Sequence, residues 1–256
     1  MPGRKNKKDN GGRSKRRTLL DKDIAFPVTE AYKNLRTNIS FALSTKRNKI
    51  FAVSSSLASE GKSTVAANIA ITLAQTNTKV LLIDGDLRKP VQHKVFNLKN
   101  NVGISTLIGG LNTFKEVVNE GVTEGLDIVT CGPIPPNPSE MLGSENMKSL
   151  LVELAKHYDY VIVDTPPINV VTDALTLLDT IAGILLIAKQ GQSTFDALQD
   201  AIDSVKIANG SILGVVVNNM PVGGGKYGYG GKYSYKYKYS YSYKREPSSD
   251  DEEDEE

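Results

Sequence analysis

An α/β fold, a mostly parallel sheet with helices on both faces, is predicted for this 256-residue sequence by two observations. Six short apolar runs lack the strict alternation of half-exposed strands, as strands buried on both faces do. Segments with helical spacing separate most of them, and such strand–helix alternation folds into a parallel sheet whose ligands gather at the carboxyl ends of the strands.

Residues 1–26 are polar and charged and hold too few apolar side chains to order themselves, so a disordered basic head is expected there. A helix follows, with Thr29 as its expected N-cap and Tyr32, Leu35, Ile39 and Ala42 on one face, ending near the cluster at 46–48. The apolar runs at 50–54, 80–84, 126–130, 160–164, 183–188 and 212–218 read as buried parallel strands. Between them, 62–75, 144–157 and 194–208 are the clearest helices. From Gly223 the composition falls to Gly, Tyr, Lys and Ser and then to seven consecutive acids at 250–256, which cannot pack a core. The expected organisation is a head at 1–26, one domain at 27–222 and a disordered tyrosine-rich tail at 223–256 with an acidic terminus.

Composition narrows the function classes. At 39% hydrophobic residues the chain suffices for one α/β core and falls short of two. Its net charge of +2 conceals an asymmetry, because residues 1–17 hold eight Lys or Arg against Asp9, whereas 18–222 holds 17 cations and 20 carboxylates. A mildly acidic domain gives no ground for a nucleic-acid binder, although the basic head could meet an anionic membrane surface. Cys131 stands alone, which fits a reducing compartment and a buried, inert thiol. No apolar run approaches the length of a membrane span, so a cytoplasmic location is expected, with any membrane attachment supplied by a partner or by surface charge.

The run at 50–54 leads into Ser55-Ser56-Leu57-Ala58-Ser59-Glu60-Gly61-Lys62-Ser63-Thr64 and then a helix, the strand–loop–helix context of a P-loop. Polyphosphate needs several converging donors, which backbone N–H groups and a helix N-terminus supply at fixed positions. Gly61 admits close backbone approach, Lys62 reaches the β- and γ-phosphates, and Ser63 has the hydroxyl for magnesium. Ser59, Glu60, Gly61, Lys62, Ser63 and Thr64 are the expected ATP-binding residues, with Asn218 a candidate for the adenine. Ser56 replaces the first glycine of the pattern. Two further strands end in acids, Asp84-Gly85-Asp86-Leu87-Arg88 and Asp164-Thr165-Pro166-Pro167. If those strands neighbour the P-loop strand, Asp84, Asp86 and Asp164 join Ser63 in an oxygen shell for Mg2+, partly through water. The expected fold is thus P-loop NTPase-like.

With these residues in hand, the sequence resembles the bacterial tyrosine kinases of capsule and exopolysaccharide systems, of the kind whose transmembrane activator is a separate polypeptide. The likeness spans about 27–222 and the tail. Gly61-Lys62-Ser63-Thr64 is similar to the family's Walker A end, Ile83-Asp84-Gly85-Asp86-Leu87-Arg88 to its second aspartate motif, Val163-Asp164 to its Walker B, and Pro136-Asn137-Pro138-Ser139-Glu140 to a further family segment. Glu30, Lys33 and Arg36 resemble its Glu-x-x-Arg-x-x-Arg oligomerisation motif, with lysine in the middle. The resemblance implies a homo-oligomeric ring, a transmembrane activator, an opposing tyrosine phosphatase and exogenous tyrosine substrates. It also implies autophosphorylation of Tyr227, Tyr229, Tyr233, Tyr235, Tyr237, Tyr239, Tyr241 and Tyr243, which are eight of the chain's eleven tyrosines.

A tyrosine hydroxyl, with a pKa of about 10, needs its proton drawn away during attack, and a carboxylate beside the metal can do that. Asp84 or Asp86 is the expected acceptor, Asp84 by the resemblance, while Lys62 offsets charge developing on the phosphoryl oxygens. Arg88 binds phosphate or holds the aspartate loop; both readings stand at this point. The competing function is an ATP-driven switch of the partitioning or cell-division type, acting on DNA or membrane. Those switches carry an extra early P-loop lysine, and 54–60 has none. Tyrosines interleaved with Lys and Ser could also stack on single-stranded nucleic acid, but the acidic terminus opposes it.

Overall fold

The computed structural model describes residues 18–21 and 23–221; the tail tyrosines and most of the basic head lie outside them. In chain order the elements are α1 (Phe26–Leu43), β1 (Ile50–Ser55), α2 (Lys62–Ala74), β2 (Val80–Asp84), α3 (Gln92–Val95), α4 (Ile104–Ile108), α5 (Phe114–Val117), β3 (Val118–Thr123), β4 (Leu126–Val129), α6 (Pro138–Leu142), α7 (Glu145–Leu154), β5 (Tyr160–Asp164), a 3-10 turn (Asp173–Leu177), β6 (Gly183–Lys189), α8 (Phe195–Ile207) and β7 (Ile212–Asn218). The strands form one sheet in the order β3-β4-β2-β5-β1-β6-β7, parallel throughout except for β3 against β4.

All six expected strands and the long helices are present, and the apolar runs are buried because the sheet is covered twice. Leu81, Ile83, Val161, Val163 and Leu186 face one core with Leu151 and Leu154 of α7 and Ala201 and Val205 of α8. Phe51, Val53, Leu82, Ile162 and Ile187 face the other, against Ile39 of α1 and almost every side chain of α2. Burying each large side chain of this kind contributes roughly 1.5–3 kcal/mol relative to exposure.

Three departures have physical causes. Helix α1 begins at Phe26 with Ala25 at the N-cap, not at Thr29, because Pro27 in the first turn presets the helical φ and lacks an N–H that would be orphaned anyway. Within the stretch expected to be a disordered head, Thr18 is buried, the Leu19 N–H donates to Asn68 Oδ1 at 2.8 Å, and Leu19 packs on the α1–α2 core. Strand β3 has no apolar run: Val118-Asn119-Glu120-Gly121-Val122-Thr123 is half exposed at an edge, where polar residues and a register shift are tolerated. At the other edge β7 is only half buried, with Val215 and Val217 exposed, although its composition reads as a buried strand.

Candidate functional site

The site lies at the carboxyl ends of β1, β5 and β2. Register sets its frame: Val53 of β1 pairs with Asp164 of β5, and Asp164 pairs with Asp84 of β2. Strand β5 thus stands between the P-loop strand and β2, so only one of the two acid-ended strands is a direct neighbour of β1.

From Ser55 the chain turns into α2 through two left-handed residues, Ser59 at φ 66° and Gly61 at φ 92°. Ser56 does not need that conformation, which is why a serine can replace the pattern's first glycine. Its hydroxyl donates to the Glu60 carboxylate at 2.8 Å, which also accepts from the Leu57 N–H at 2.8 Å and from the Ser193 hydroxyl. Expected on ATP, Glu60 is fully buried and directs its carboxylate into the loop as a brace. Asn218, expected at the adenine, donates its side-chain N–H to the Glu60 carbonyl at 2.9 Å and accepts from the Asn219 N–H at 2.8 Å, tying the turn to β7. A Cβ on Gly61 would meet a left-handed backbone and would lie 2.3 Å from Asn218 Nδ2, so the Asn218 side chain would have to leave its bond to the Glu60 carbonyl.

Beyond the turn, a cleft of about 400 Å³ is lined by Ser59, Gly61, Lys62, Ser63, Thr64, Asp86, Lys89, Val91 and neighbours. The N-terminus of α2 opens into it. Lys62 Nζ donates to Asp86 Oδ2 at 2.8 Å, to Ser63 Oγ at 3.1 Å and to Asp164 Oδ1 at 3.3 Å. Burial pulls the Lys62 pKa down, and the charges of Asp164 and Asp86 more than offset it, so the ammonium is held above its ordinary range. Asp84 lies beneath, fully buried, with Oδ2 accepting from the Val91 and Gln92 N–H groups at 3.0 and 2.8 Å. Burial first, and then the facing Asp164 charge, push its carboxyl up to about 7.

Two residues that sequence reasoning missed organise the acids. Gln92, also fully buried, donates from Nε2 to Asp164 Oδ2 at 2.8 Å and to the Ser63 carbonyl at 3.0 Å, so it joins all three motifs. Its place eight residues after Asp84 carried no recognised signal. Asp173, in the 3-10 turn, accepts from Arg88 Nε and Nη2 at 2.9 and 3.0 Å and from the Ser139 hydroxyl. Between the two roles open for Arg88, this geometry selects loop holding, since Asp86 Oδ1 in turn accepts the Arg88 and Lys89 N–H groups at 3.3 and 2.9 Å. Ser139 belongs to the 136–140 segment, which thereby gains a structural reason.

Glu30 and Lys33 form an exposed ion pair at 2.8 Å, whereas the Arg36 guanidinium reaches back to the Thr72 carbonyl in the last turn of α2 at 2.9 Å. One of the three expected oligomerisation residues is therefore engaged within its own subunit. The eight tail tyrosines lie outside the described residues. Cys131 is buried and burial pushes its thiol up to about 12.

The donors suit a hard cation. Ser63 Oγ and oxygens of Asp86 and Asp164 share one ammonium, and Asp84 Oδ1 and Gln92 Oε1 are buried acceptors with no partner among the described residues. No cluster of three His, Cys, Asp or Glu residues is placed to hold a metal directly among the described residues.

Comparison with known proteins agrees with this geometry. The family described as AAA domain matches residues 48–209. The chain is 38% identical over 195 residues to a Staphylococcus aureus protein named as tyrosine-protein kinase CapB, covering 76% of this chain and 86% of that one. It is 37% identical over 224 residues to the tyrosine-protein kinase YwqD of Bacillus subtilis strain 168, covering 87% and 94%. The solved kinase domain of the Escherichia coli tyrosine kinase ETK superposes with a TM-score of 0.71 at 34% identity, over 78% of this chain and 80% of that one. No helix among the described residues is long and apolar enough to cross a membrane. On its P-loop, its second aspartate motif and these relatives together, the chain belongs to the capsular and exopolysaccharide family of bacterial tyrosine kinases and is a P-loop protein-tyrosine kinase of that type.

Proposed function

We propose that this kinase transfers the γ-phosphoryl group of ATP, with Mg2+, to the tyrosines at 227–243 of its own tail, in trans between copies arranged in a ring. We place it in the control of capsular or exopolysaccharide synthesis, in the cytoplasm and held at the membrane by a transmembrane activator, with a tyrosine phosphatase opposing it. The single observation that carries the reading is the convergence of the Lys62 ammonium, Ser63, Asp86 and Asp164 at the N-terminus of α2.

On this reading the turn at 59–64 cradles the phosphates with backbone N–H groups, helped by the positive end of α2. Lys62, now bonded to Asp86 and Asp164, moves onto the β- and γ-phosphoryl oxygens and offsets the charge that develops there. Ser63, Asp86 and Asp164 would hold Mg2+, with Asp84 and Gln92 behind them bonding its waters. When bound, the ion draws negative charge off the phosphate oxygens. The tyrosine proton passes to Asp84 or Asp86, of which Asp86 lines the cleft and Asp84 lies buried beneath it.

The test incubates the full chain with labelled ATP and magnesium, with and without the cytoplasmic segment of a candidate activator. Lys62→Met and a chain ending at Val222 serve as controls. Phosphotyrosine in the intact chain alone, and in a Lys62→Met acceptor mixed with it, is expected. Phosphate release with no labelled tyrosine in any sample sinks the reading and favours the ATP-driven switch.

A further inference from the structure

The stretch from Leu87 to Lys115 contains Arg88, Lys89, Lys94, Lys99 and Lys115 and no carboxylate, while the rest of 18–222 holds 12 cations against 20 carboxylates. Residues 31–59 likewise carry five cations and no carboxylate, but 87–115 is the stretch whose Arg88, Lys89 and Lys94 line a concavity of about 490 Å³, together with Val91, His93 and the loop at 132–134. The concavity adjoins the phosphate cleft, since Lys89 and Val91 line both. Lys89 and Lys94 are exposed and have no carboxylate within ion-pair distance among the described residues. His93 lines the same wall, and its Nδ1 is buried with no partner among those residues.

We propose that this concavity is a docking site for an acidic peptide, and that its occupant is the acid run at 250–256 of a second copy of this chain. Charge complementarity selects the occupant: Asp250–Glu256 is seven consecutive carboxylates, the densest acidic block in the sequence, and Arg88, Lys89 and Lys94 supply the opposite charge beside the phosphate cleft. Tyr243 precedes Asp250 by seven residues, and an extended chain of that length spans about 23 Å. A terminus seated beside the phosphate cleft therefore keeps Tyr243 and the tyrosines before it within reach of the transfer site. The inference deepens the proposed tail phosphorylation and rests on it for its purpose, though binding of the acid run is measurable without catalysis.

Two experiments separate the claims. In the first, the intact kinase acts on full-length Lys62→Met acceptors whose residues 250–256 are either native or replaced by the corresponding amides. Neutralising the run is expected to raise the acceptor KM about tenfold with kcat unchanged, and the difference shrinks at high salt because the pairs are solvent-exposed. Lys94→Glu in the kinase, outside the phosphate cleft, raises KM similarly for the native acceptor only, and an acceptor carrying lysines at 250–256 restores it. Equal KM values for native and neutral acceptors, or a Lys94→Glu effect common to both, overturn the proposal, as does labelling confined to the active chain in the mixture. In the second, a fluorescein-labelled peptide of residues 244–256 is titrated with intact kinase by anisotropy, and Lys94→Glu is expected to weaken its binding about tenfold. Binding that depends on Lys94 without any labelled tyrosine upholds the docking site and defeats the tail-substrate reading. Labelled tyrosines with no Lys94-dependent peptide binding defeat the docking site alone.

Discussion

Replacing Arg88 with methionine is expected to cost about 2–3 kcal/mol of stability. Asp173 is fully buried, and its carboxylate depends on the two guanidinium bonds and the Ser139 hydroxyl. Cutting one partner from a buried pair costs about 3–5 kcal/mol, because a charge is left without compensation in a poor solvent. Here the figure is reduced, since the Arg88 side chain is 39% exposed and water can reach the vacated position. In a domain of this size about 2–4 °C accompanies each kcal/mol, so the melting midpoint should drop by about 4–12 °C. The assay is a double-mutant cycle by urea and thermal unfolding with Arg88→Met, Asp173→Asn and the pair together. Removing both charges should recover stability to within about 1 kcal/mol of the native chain, because no lone charge then remains. Nucleotide affinity should stay lowered in the double variant, as Asp86 is positioned by the same loop. A single variant that loses less than about 1 kcal/mol, or a cycle with no coupling, refutes the reasoning.

Gly61→Ala should abolish nucleotide binding, measured by a fluorescent ATP analogue, because a left-handed φ of 92° and a 2.3 Å approach to Asn218 both oppose a Cβ; retained affinity would show that the turn can shift. The raised Asp84 carboxyl makes a pH prediction for the nucleotide-free protein. A folded-state value of about 7, above the ordinary 3.8, contributes stability that is fully present below pH 3.8 and is lost as pH rises through 7. Between pH 5.5 and 8 this amounts to about 2 kcal/mol, and Asp84→Asn should remove that part of the slope in melting temperature against pH; an unchanged slope contradicts it.

The candidate site residues were legible because their signals are local. Gly61-Lys62-Ser63-Thr64 follows an apolar run and precedes a helix, and Asp84 and Asp164 close apolar runs of their own, so the positions of a phosphate cradle and of carboxylates at strand ends could be read from fewer than a dozen residues each. Glu60 and Asn218, read as candidates for ATP, have side chains that brace the loop, a contact that no local pattern shows. The Arg36 guanidinium likewise turns back to the end of α2. Strand β3 was invisible because an edge strand needs no apolar run.

Helix and strand periodicity, the phosphate-binding turn and the acid-ended strands follow from the chain alone, since each depends on neighbours a few residues away. Strand order, the insertion of β5 between β1 and β2, the facing of Asp84 with Asp164, the bridge from Gln92 and the pairing of Arg88 with Asp173, 85 residues distant, were settled only by folding. Those features are contacts between distant segments: burial of the apolar core brings them together, and the polar bonds then offset the cost of burying their groups, which no local pattern of residues encodes.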